Sequence, residues 1–271
     1  MSDFTGKSVL ITGAASGVGK ALCIELASRG AEIFVSALTE AEAQPVAESI
    51  VANGGRAHAM KCDVTESDDI RAAIETIART CGKLDIIINN AGLLYIGEFT
   101  DMDETFLQKI YSVNFTAVSM GSYFALKQMK KQGHGHIVNI ASMAGQLSSP
   151  GMAAYAASKH GVVGLSKSLQ AEVKALGIKV QVACMSNVES DLIDGAECKT
   201  GHNDVYRQLF PKAQTSAAAA KKLVDGMCGN SLFLYTPFNA RVAAAIYRLS
   251  PRFMQWSCGL MMKSYRDGVQ R

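Results

Sequence analysis

The chain has 271 residues, of which 48% are hydrophobic and 19% are charged, and this is enough to bury a sizeable core in one or two domains. It has five prolines and no Ser/Pro-rich or low-complexity stretch, so we predict one continuous domain over residues 1–271. The net charge of +3 and the lack of a Lys/Arg block interleaved with aromatics argue against a nucleic-acid partner.

The seven cysteines are scattered, odd in number and never in a C-x-x-C pair, which indicates reduced thiols. The first strand-like run, residues 8–12, leaves no room before it for a signal peptide. We therefore expect a cytoplasmic protein. Arg241 interrupts the longest apolar candidate, near residues 238–249, so a membrane-spanning helix is not expected.

Short apolar runs bounded by turn residues recur along the chain and predict buried strands. The runs are residues 9–11, 33–35, 84–88, 137–140 and 180–183. Between them, residues 20–28, 40–52 and 68–80 carry apolar residues at the three- and four-residue spacing of amphipathic helices. Alternating strands and helices predict a parallel sheet covered on both faces, with ligands bound at the carboxyl ends of the strands.

A glycine-rich segment, residues 12–19 (TGAASGVG), follows directly after the first predicted strand and leads into a predicted helix. Glycines permit a tight turn and close approach of the backbone, and a helix N-terminus offers free N–H groups to phosphates. A plain strand-to-helix turn is the alternative. We predict a pyrophosphate site formed by Gly13, Ser16, Gly17, Val18 and Gly19.

The spacing of these glycines, G-x-x-x-G-x-G, is the first of several features that resemble the short-chain dehydrogenase/reductase family. Further matches follow in the family's order between residues 5 and 192. They are Asp63, which in the family follows the third strand, residues 89–92 (NNAG) after the run at 84–88, which corresponds to the family's fourth strand, Asn114, Ser142, and residues 155–159 (YAASK). The resemblance implies an α/β fold: a single doubly wound Rossmann domain with a parallel sheet of about seven strands and helices on both faces.

The resemblance also implies cofactor contacts. It places Asp63 and Val64 against the adenine, and Asn90 and Gly92 along the adenosine ribose. A helix N-cap for Asp63 and a turn for residues 89–92 are the alternatives. Because these residues follow successive strands, they would face one crevice, which favours the cofactor interpretation.

The choice between the two nicotinamide cofactors depends on the end of the second predicted strand. An acidic residue there accepts the ribose hydroxyls of NAD, and a basic residue accommodates the 2′-phosphate of NADP. Ala37 stands where the family's NAD enzymes have Asp, and Leu38 where many NADP enzymes have Arg. With no carboxylate to repel a phosphate, and with Ser16, Ser36 and Thr39 able to donate hydrogen bonds to it, we predict NADP in preference to NAD.

Tyr155 and Lys159 lie four residues apart in a helix-compatible run, so their side chains project from one face. A phenol has a pKa of ~10, and a nearby ammonium is expected to lower it. Tyr155 is then suited to act as general acid or base on a carbonyl or alcohol. Ser142 can hydrogen-bond the substrate oxygen, and the resemblance implies that Asn114 holds a water linking Lys159 to solvent. For the Tyr–Lys pair alone, a core tyrosine beside a surface lysine is the alternative.

The segment after the predicted strand at residues 180–183 departs from the family, which commonly carries Pro-Gly where this chain has Met185 and Ser186. Val188 and Ser190 can still contact the nicotinamide carboxamide. Residues 191–230 are predicted to form a substrate loop and its helices, and their apolar content favours a partly apolar substrate. Residues 232–235 are predicted to add an edge strand.

Residues 238–271 form a C-terminal extension with six basic residues against one acid, a local net charge of +5. Its mixture of basic and apolar residues permits a lid over the substrate pocket, a subunit contact, or a peripheral contact with an anionic membrane. Relatives of this fold are commonly homodimers or homotetramers. Residues 144–147 and 169–174 also look like ketosphinganine-type lipid reductases within the family, which favours a lipid-like substrate.

The leading interpretation is an enzyme that transfers a hydride between NAD(P) and a ketone or secondary alcohol. A catalytically silent dinucleotide-binding regulator is the alternative, and the intact set of Ser142, Tyr155 and Lys159 argues against it. A peripheral membrane scaffold is a third interpretation. His134 and His136 have no Cys, Asp or Glu at ligand spacing, so we predict a polar turn there and no metal site.

Overall fold

The computed structural model describes residues 3–147, 149–189, 192, 196–198 and 213–269. Its strands are β1 (Ser8–Ile11), β2 (Glu32–Ala37), β3 (Arg56–Lys61), β4 (Ile86–Asn89), β5 (Tyr95–Ile96), β6 (Gly135–Ile140), β7 (Ile178–Met185), β8 (Val188–Glu189), β9 (Glu197–Cys198), β10 (Gln214–Thr215) and β11 (Phe233–Thr236). Its α-helices are α1 (Gly17–Ala27), α2 (Glu40–Ala52), α3 (Ser67–Cys81), α4 (Glu104–Tyr111), α5 (Ala117–Gln132), α6 (Ala153–Val173), α7 (Ser216–Met227), α8 (Phe238–Leu249) and α9 (Pro251–Val269).

Seven of these strands form one parallel sheet, which confirms the predicted fold class. The order across the sheet is β11-β7-β6-β4-β1-β2-β3. The chain therefore builds outward from β1 to β3 and then crosses to the other side of β1 to place β4. A crevice opens at the carboxyl ends of the strands where the order reverses, and ligands of such sheets bind there.

The predicted apolar runs lie in or across β1, β2, β4, β6 and β7, and the predicted edge strand lies in β11. β1 and β4 are buried along their whole length because both faces of the sheet are covered. Residues 84 and 85, which the sequence placed in the fourth strand, precede β4. β3 is an edge strand with exposed Arg56, His58 and Lys61, so no continuous apolar run marks it.

Helices cover both faces of the sheet. Successive strand residues point to opposite faces, so Val9 and Ile11 pack under α1, α2 and α7, whereas Leu10 and Phe34 pack under α3 and α5. The C-terminal helix α9 lies over the carboxyl end, where its Tyr265 joins a buried cluster. None of the helices in the described ranges combines the length with the apolar composition that a bilayer-spanning helix requires.

Asp85 holds the opposite end of the sheet together. Its carboxylate is 2% exposed and lies 3.0 Å from both Lys7 Nζ and Lys83 Nζ. It also accepts a 3.1 Å hydrogen bond from the backbone N–H of Ser8, and His134 Nε2 lies 3.4 Å away. Burial acts to raise the pKa of Asp85, but hydrogen bonds from Lys83, Ser8 and Lys7 outweigh it, so the pKa lies below 3.8.

We expect Asp85→Asn to lower the free energy of unfolding at pH 7 by about 2 kcal/mol, because two ammonium groups lose their shared carboxylate. A carboxyl whose pKa is lowered in the folded state stabilises the protein above the unfolded pKa of 3.8, and this contribution disappears as the pH falls below it. Urea unfolding should therefore show a difference from wild type that shrinks below pH 4. Asp68→Asn, at a carboxylate that is 81% exposed, is the control and should change stability by less than about 0.5 kcal/mol.

Candidate active site

The glycine-rich loop after β1 packs closely against the loop after β4, because its glycines have no side chains to keep the two backbones apart. Gly13 and Gly17 have φ values of 59° and 52°, which favour glycine. A Cβ on Gly13 would lie 2.8 Å from Ala91 Cα, and one on Gly19 would lie 2.3 Å from Gly13 O. Because α1 begins at Gly17, its first N–H groups have no partner within the helix and are available to an anion.

Thr12 and Asn90 hold these two loops together. The Thr12 hydroxyl accepts hydrogen bonds from the backbone N–H groups of Asn90 at 2.9 Å and Ala91 at 3.2 Å. The Asn90 amide donates to the carbonyls of Thr12 at 2.9 Å and Gly13 at 3.0 Å. Asn90 therefore fixes the shape of the glycine loop in addition to lining the crevice.

A cavity of about 590 Å³ occupies the crevice. It is lined by these residues of the predicted set: Gly13, Ser16, Gly17, Val18, Gly19, Asp63, Val64, Asn90, Gly92, Tyr155 and Lys159. It runs from the ends of β2 and β3 to the end of β6, and β2 and β6 are three strand spacings, about 14 Å, apart. The cavity is thus elongated across the sheet, as a dinucleotide requires.

Asp63 lines this cavity as part of a turn and is not the N-cap of α3, which is Glu66. Its carboxylate accepts hydrogen bonds from the backbone N–H of Thr65 at 2.9 Å and from the Thr65 hydroxyl at 2.7 Å. The alternative of a helix cap is therefore wrong.

Tyr155, Lys159 and Ser142 come together at the end of β6. Tyr155 and Lys159 lie on one face of α6, and Lys159 Nζ is 5.7 Å from the centre of the Tyr155 ring. Both side chains are buried. Lys159 Nζ donates a 2.9 Å hydrogen bond to the carbonyl of Ile140. Ser142 Oγ accepts a 3.1 Å hydrogen bond from the backbone N–H of Ala144 and lies close enough to the Tyr155 phenol to lower its pKa.

Asn114 lies in a π-helical turn, Ser112–Thr116, between α4 and α5. Its side chain accepts a 2.7 Å hydrogen bond from the N–H of Leu93 and donates to the Leu93 carbonyl at 2.8 Å. A further 3.3 Å bond runs to Ser158 Oγ. The carboxamide thus holds the loop that carries Gly92, where a Cβ would lie 3.7 Å from Lys159 Nζ. The water-holding role predicted for Asn114 stays a prediction.

Comparison with known proteins agrees with this geometry. A family model described as short chain dehydrogenase matches residues 7–199. The chain is 35% identical over 190 residues to the 3-oxoacyl-[acyl-carrier-protein] reductase FabG of Escherichia coli, covering 70% of this chain and 77% of that protein. It is 36% identical over 195 residues to a cyclohexanol dehydrogenase of Acinetobacter, covering 71% and 77%. The chain belongs to the short-chain dehydrogenase/reductase family.

Two solved structures of this family have the same fold. One, from Burkholderia phymatum in complex with NAD, is 24% identical, covers 93% of this chain and 96% of that chain, and gives a TM-score of 0.85. The other, from Mycobacterium marinum, is 27% identical, covers 86% and 94%, and gives a TM-score of 0.78. This chain is accordingly a short-chain oxidoreductase, and a nicotinamide cofactor is the cofactor of its family.

Burial changes the proton affinities in this member of the family. Burial raises the pKa of the Tyr155 phenol, and the nearby Ser142 hydroxyl opposes the rise. Burial lowers the pKa of Lys159 to about 8. The sequence predicted a lowered phenol pKa, and that prediction is wrong for the free protein because burial of the phenol raises its pKa.

Two of the three hydroxyl groups predicted to bind the 2′-phosphate of NADP are engaged in other hydrogen bonds. Ser36 is fully buried and donates its hydroxyl proton to the Ile11 carbonyl at 3.1 Å. The Thr39 hydroxyl caps α2 by accepting from the N–H of Glu42 at 3.3 Å. Of the three predicted donors, Ser16 alone lines the cavity as described. Glu42, which the sequence analysis missed, adds a carboxylate there; the Thr-x-x-Glu capping box was its signal.

A second cavity of about 250 Å³ lies beside Tyr155 and Ser142. Val188 lines it, and so do Cys258 and Met261 of α9, which the sequence did not assign to the site. Ser190 lies outside the described residues. Of the described part of the predicted substrate segment 191–230, Leu192 alone lines either cavity, and α7 instead packs in the core against α1.

The two histidines at the start of β6 have separate surroundings, and the predicted polar turn is wrong for His136 because this residue is buried in the strand. His134 is part of the Asp85 cluster, and His136 is buried in β6, where burial lowers its pKa to about 3. In the part of the chain that the structure describes, no group of three His, Cys, Asp or Glu side chains is placed to hold a metal ion. The six described cysteine side chains are free thiols.

Gly19→Ala tests the glycine loop. Because the new Cβ would overlap Gly13 O, the loop must shift, and we expect the Kd for NADH or NADPH to rise at least about tenfold, or ~1.4 kcal/mol, in a fluorescence titration. Gly164→Ala is the control, since a Cβ there meets nothing within 4 Å and α6 should gain about 0.5–1 kcal/mol of stability. An unchanged Kd in folded Gly19→Ala would contradict the assignment.

Proposed function

We propose that this protein transfers a hydride between NAD(P) and a ketone or secondary alcohol, with Tyr155 exchanging the proton. The observation that carries the proposal is the position of Tyr155 between the two cavities. Six described residues line both cavities, and among them Tyr155 alone has an ionisable side chain. A proton donor at the boundary between a dinucleotide-sized crevice and an apolar pocket is what carbonyl reduction needs.

The cofactor, when bound, supplies or accepts the hydride. The residues of the crevice fit such a group: Gly13 and Gly19 allow the glycine loop to pack closely against its neighbours, and the N-terminus of α1 offers unpaired N–H groups to a pyrophosphate.

Three side chains handle the proton. In the direction of reduction, the Tyr155 hydroxyl donates its proton to the carbonyl oxygen, and Ser142 Oγ donates a hydrogen bond to the same oxygen as negative charge develops. A phenol whose pKa is raised by burial is present in the protonated form that this step requires. Lys159, with a pKa of about 8, is mostly charged at neutral pH and stabilises the phenolate that remains. Oxidation of an alcohol uses the same groups in reverse.

Tyr155→Phe tests this assignment. The variant keeps the ring but lacks the exchangeable proton, so we expect kcat/KM to fall by at least about a hundredfold while the Kd for NADH stays within about threefold of the wild-type value. Activity is measured by the absorbance of the reduced nicotinamide. Tyr123→Phe, at a half-exposed position on α5, is the matched control. Near-wild-type turnover of Tyr155→Phe would disprove the role of the phenol.

The regulator alternative makes a different prediction. If the chain only senses the dinucleotide, the wild type binds NADH or NADPH but turns over no ketone or alcohol. The buried contact of Tyr155 with Ser142 and the buried ammonium of Lys159 support the enzyme, because burying these groups without a use for them carries a desolvation cost.

The lining of the second cavity supports a substrate that is at least partly apolar. Four methionines contribute to it, together with three leucines: Met143, Met152, Met185, Met261, Leu94, Leu147 and Leu192. Thioether side chains adapt to flexible apolar ligands. The relatives named above act on a 3-oxoacyl chain and on cyclohexanol, according to their names, and an aliphatic ketone or alcohol is consistent with both. The likeness to ketosphinganine-type reductases stays a prediction.

The preference for NADP also stays a prediction, and the structure indicates Glu42 as the group that opposes it. The described lining residues at the ends of β2 and β3 include two carboxylates, Glu42 and Asp63, and no lysine or arginine. A negative charge there repels a 2′-phosphate, and an exposed pair of like charges about 4 Å apart in water interacts by about 1 kcal/mol.

We expect Glu42→Gln to raise kcat/KM for NADPH about fivefold relative to NADH. Gln keeps the capping box of α2 and removes only the charge. Glu40→Gln is the control, since Glu40 lies in the same helical turn but does not line the cavity. A wild-type kcat/KM that is higher for NADPH than for NADH would support the predicted NADP preference, and an unchanged ratio in Glu42→Gln would remove Glu42 from cofactor selection.

Two further interpretations stay predictions from the sequence. One is a homodimer or homotetramer. The other is a contact of residues 238–271 with an anionic membrane surface, which the exposed side chains of Leu249, Trp256 and Leu260 support.

A further inference from the structure

Helix α9 has one face toward the second cavity and one toward solvent. Ser257, Cys258 and Met261 line the cavity beside Tyr155. The same face continues to Tyr265, which is buried, as expected for residues three and four positions apart on a helix. On the opposite face, Trp256 is 62% exposed and Leu260 is 49% exposed. The helix is therefore a wall of the cavity and not a surface appendage.

Two contacts fix the far end of α9 over the pocket. Tyr265 packs in a buried cluster with Leu94, Tyr95 and Tyr155. Arg266 donates two hydrogen bonds to the Glu98 carboxylate, at 2.7 Å from Nε and 3.2 Å from Nη2. This fork joins α9 to the segment after β5 and restricts how the helix can rotate.

The other walls of the cavity carry or adjoin the proton-transfer groups. Ser142 follows β6 and Tyr155 belongs to α6, so a change of shape in those elements alters the chemistry. α9 contributes no such group. It also lies outside residues 7–199, the part that the family model matches. The side chains of α9 that line the cavity can therefore differ in size, and so change which substrates fit, without altering a proton-transfer group.

We propose that α9 sets the length of carbon chain the enzyme accepts, with Met261 as the residue that limits it and Glu98–Arg266 as the pair that positions it. The inference rests on the proposed function. The substrate class is a ketone or secondary alcohol with an unbranched aliphatic chain. At roughly 30 Å³ for each water-sized group, a cavity of about 250 Å³ holds about eight such groups.

The decisive experiment measures kcat/KM for methyl ketones of graded chain length with wild type, Met261→Trp and Met261→Ala. We expect Met261→Trp, which fills the cavity, to lower the ratio of the longest to the shortest ketone at least about tenfold. Met261→Ala should move the optimum to longer chains. Leu260→Trp, one position away on the exposed face, is the control and should keep the wild-type profile.

The outcomes separate this inference from the proposed function. A wild type that turns over no ketone or alcohol of any length would overturn the proposed function, and this inference with it. Turnover with the same chain-length profile in wild type, Met261→Trp and Met261→Ala would overturn only the role of α9. The Kd for NADH shows that each variant is folded, and Met261→Ala decides the point if the tryptophan variant does not fold.

The positioning pair has its own readout. We expect Arg266→Ala to raise KM for a long-chain ketone about fivefold more than it changes kcat, because the wall loses its fixed position. Arg252→Ala, at another exposed arginine of α9, is the control. Exchanging the charges in Glu98→Arg with Arg266→Glu should restore KM to within about twofold of wild type. Failure of the exchange to restore KM, or an equal effect of Arg252→Ala, would overturn the positioning role.

Discussion

The site depends on a contact between two stretches of bare backbone, the loop after β1 and the loop after β4. Thr12 and Asn90 hold them together with four hydrogen bonds, and Gly13 and Gly19 have no room for side chains. The carboxamide of Asn114 then fixes the next residues of the β4 loop through Leu93. One network of hydrogen bonds from the side chains of Thr12, Asn90 and Asn114 to the backbone therefore sets the shape of the crevice and the position of Gly92 beside Lys159.

Stability and chemistry are placed at opposite ends of the same strands. Asp85 precedes β4 and gathers Lys7 and Lys83 at the amino end, whereas residues 90–92 follow β4 at the carboxyl end and line the crevice. The rigid strand between them is fully buried. The carboxylate of Asp85 at the amino end is thus satisfied by protein groups, while the first N–H groups of α1 at the carboxyl end are available to a ligand.

Sequence reasoning succeeded where one stretch of chain carries its own signal. Continuous apolar runs revealed β1 and β4 because both faces of those strands are buried. Sequence reasoning failed where contacts between distant parts of the chain determine the structure or the pKa. The edge strand β3 has no apolar run, the hydroxyl of Ser36 is used by the Ile11 carbonyl, and burial sets the pKa of Tyr155. Met261 reaches the site from more than a hundred residues after Tyr155, and no local pattern encodes that approach.

Helix α9 packs in the cluster that holds Tyr155, but it carries none of the three proton-transfer groups. Mutations in α9 can reshape the pocket while β6 and α6 keep their geometry, since the helix touches the site through Cys258 and Met261 and holds its place through Tyr265 and Arg266. On this proposal, substitutions in α9 change the size of substrate that the pocket accepts, while Ser142, Tyr155 and Lys159 keep their places after β6 and on α6.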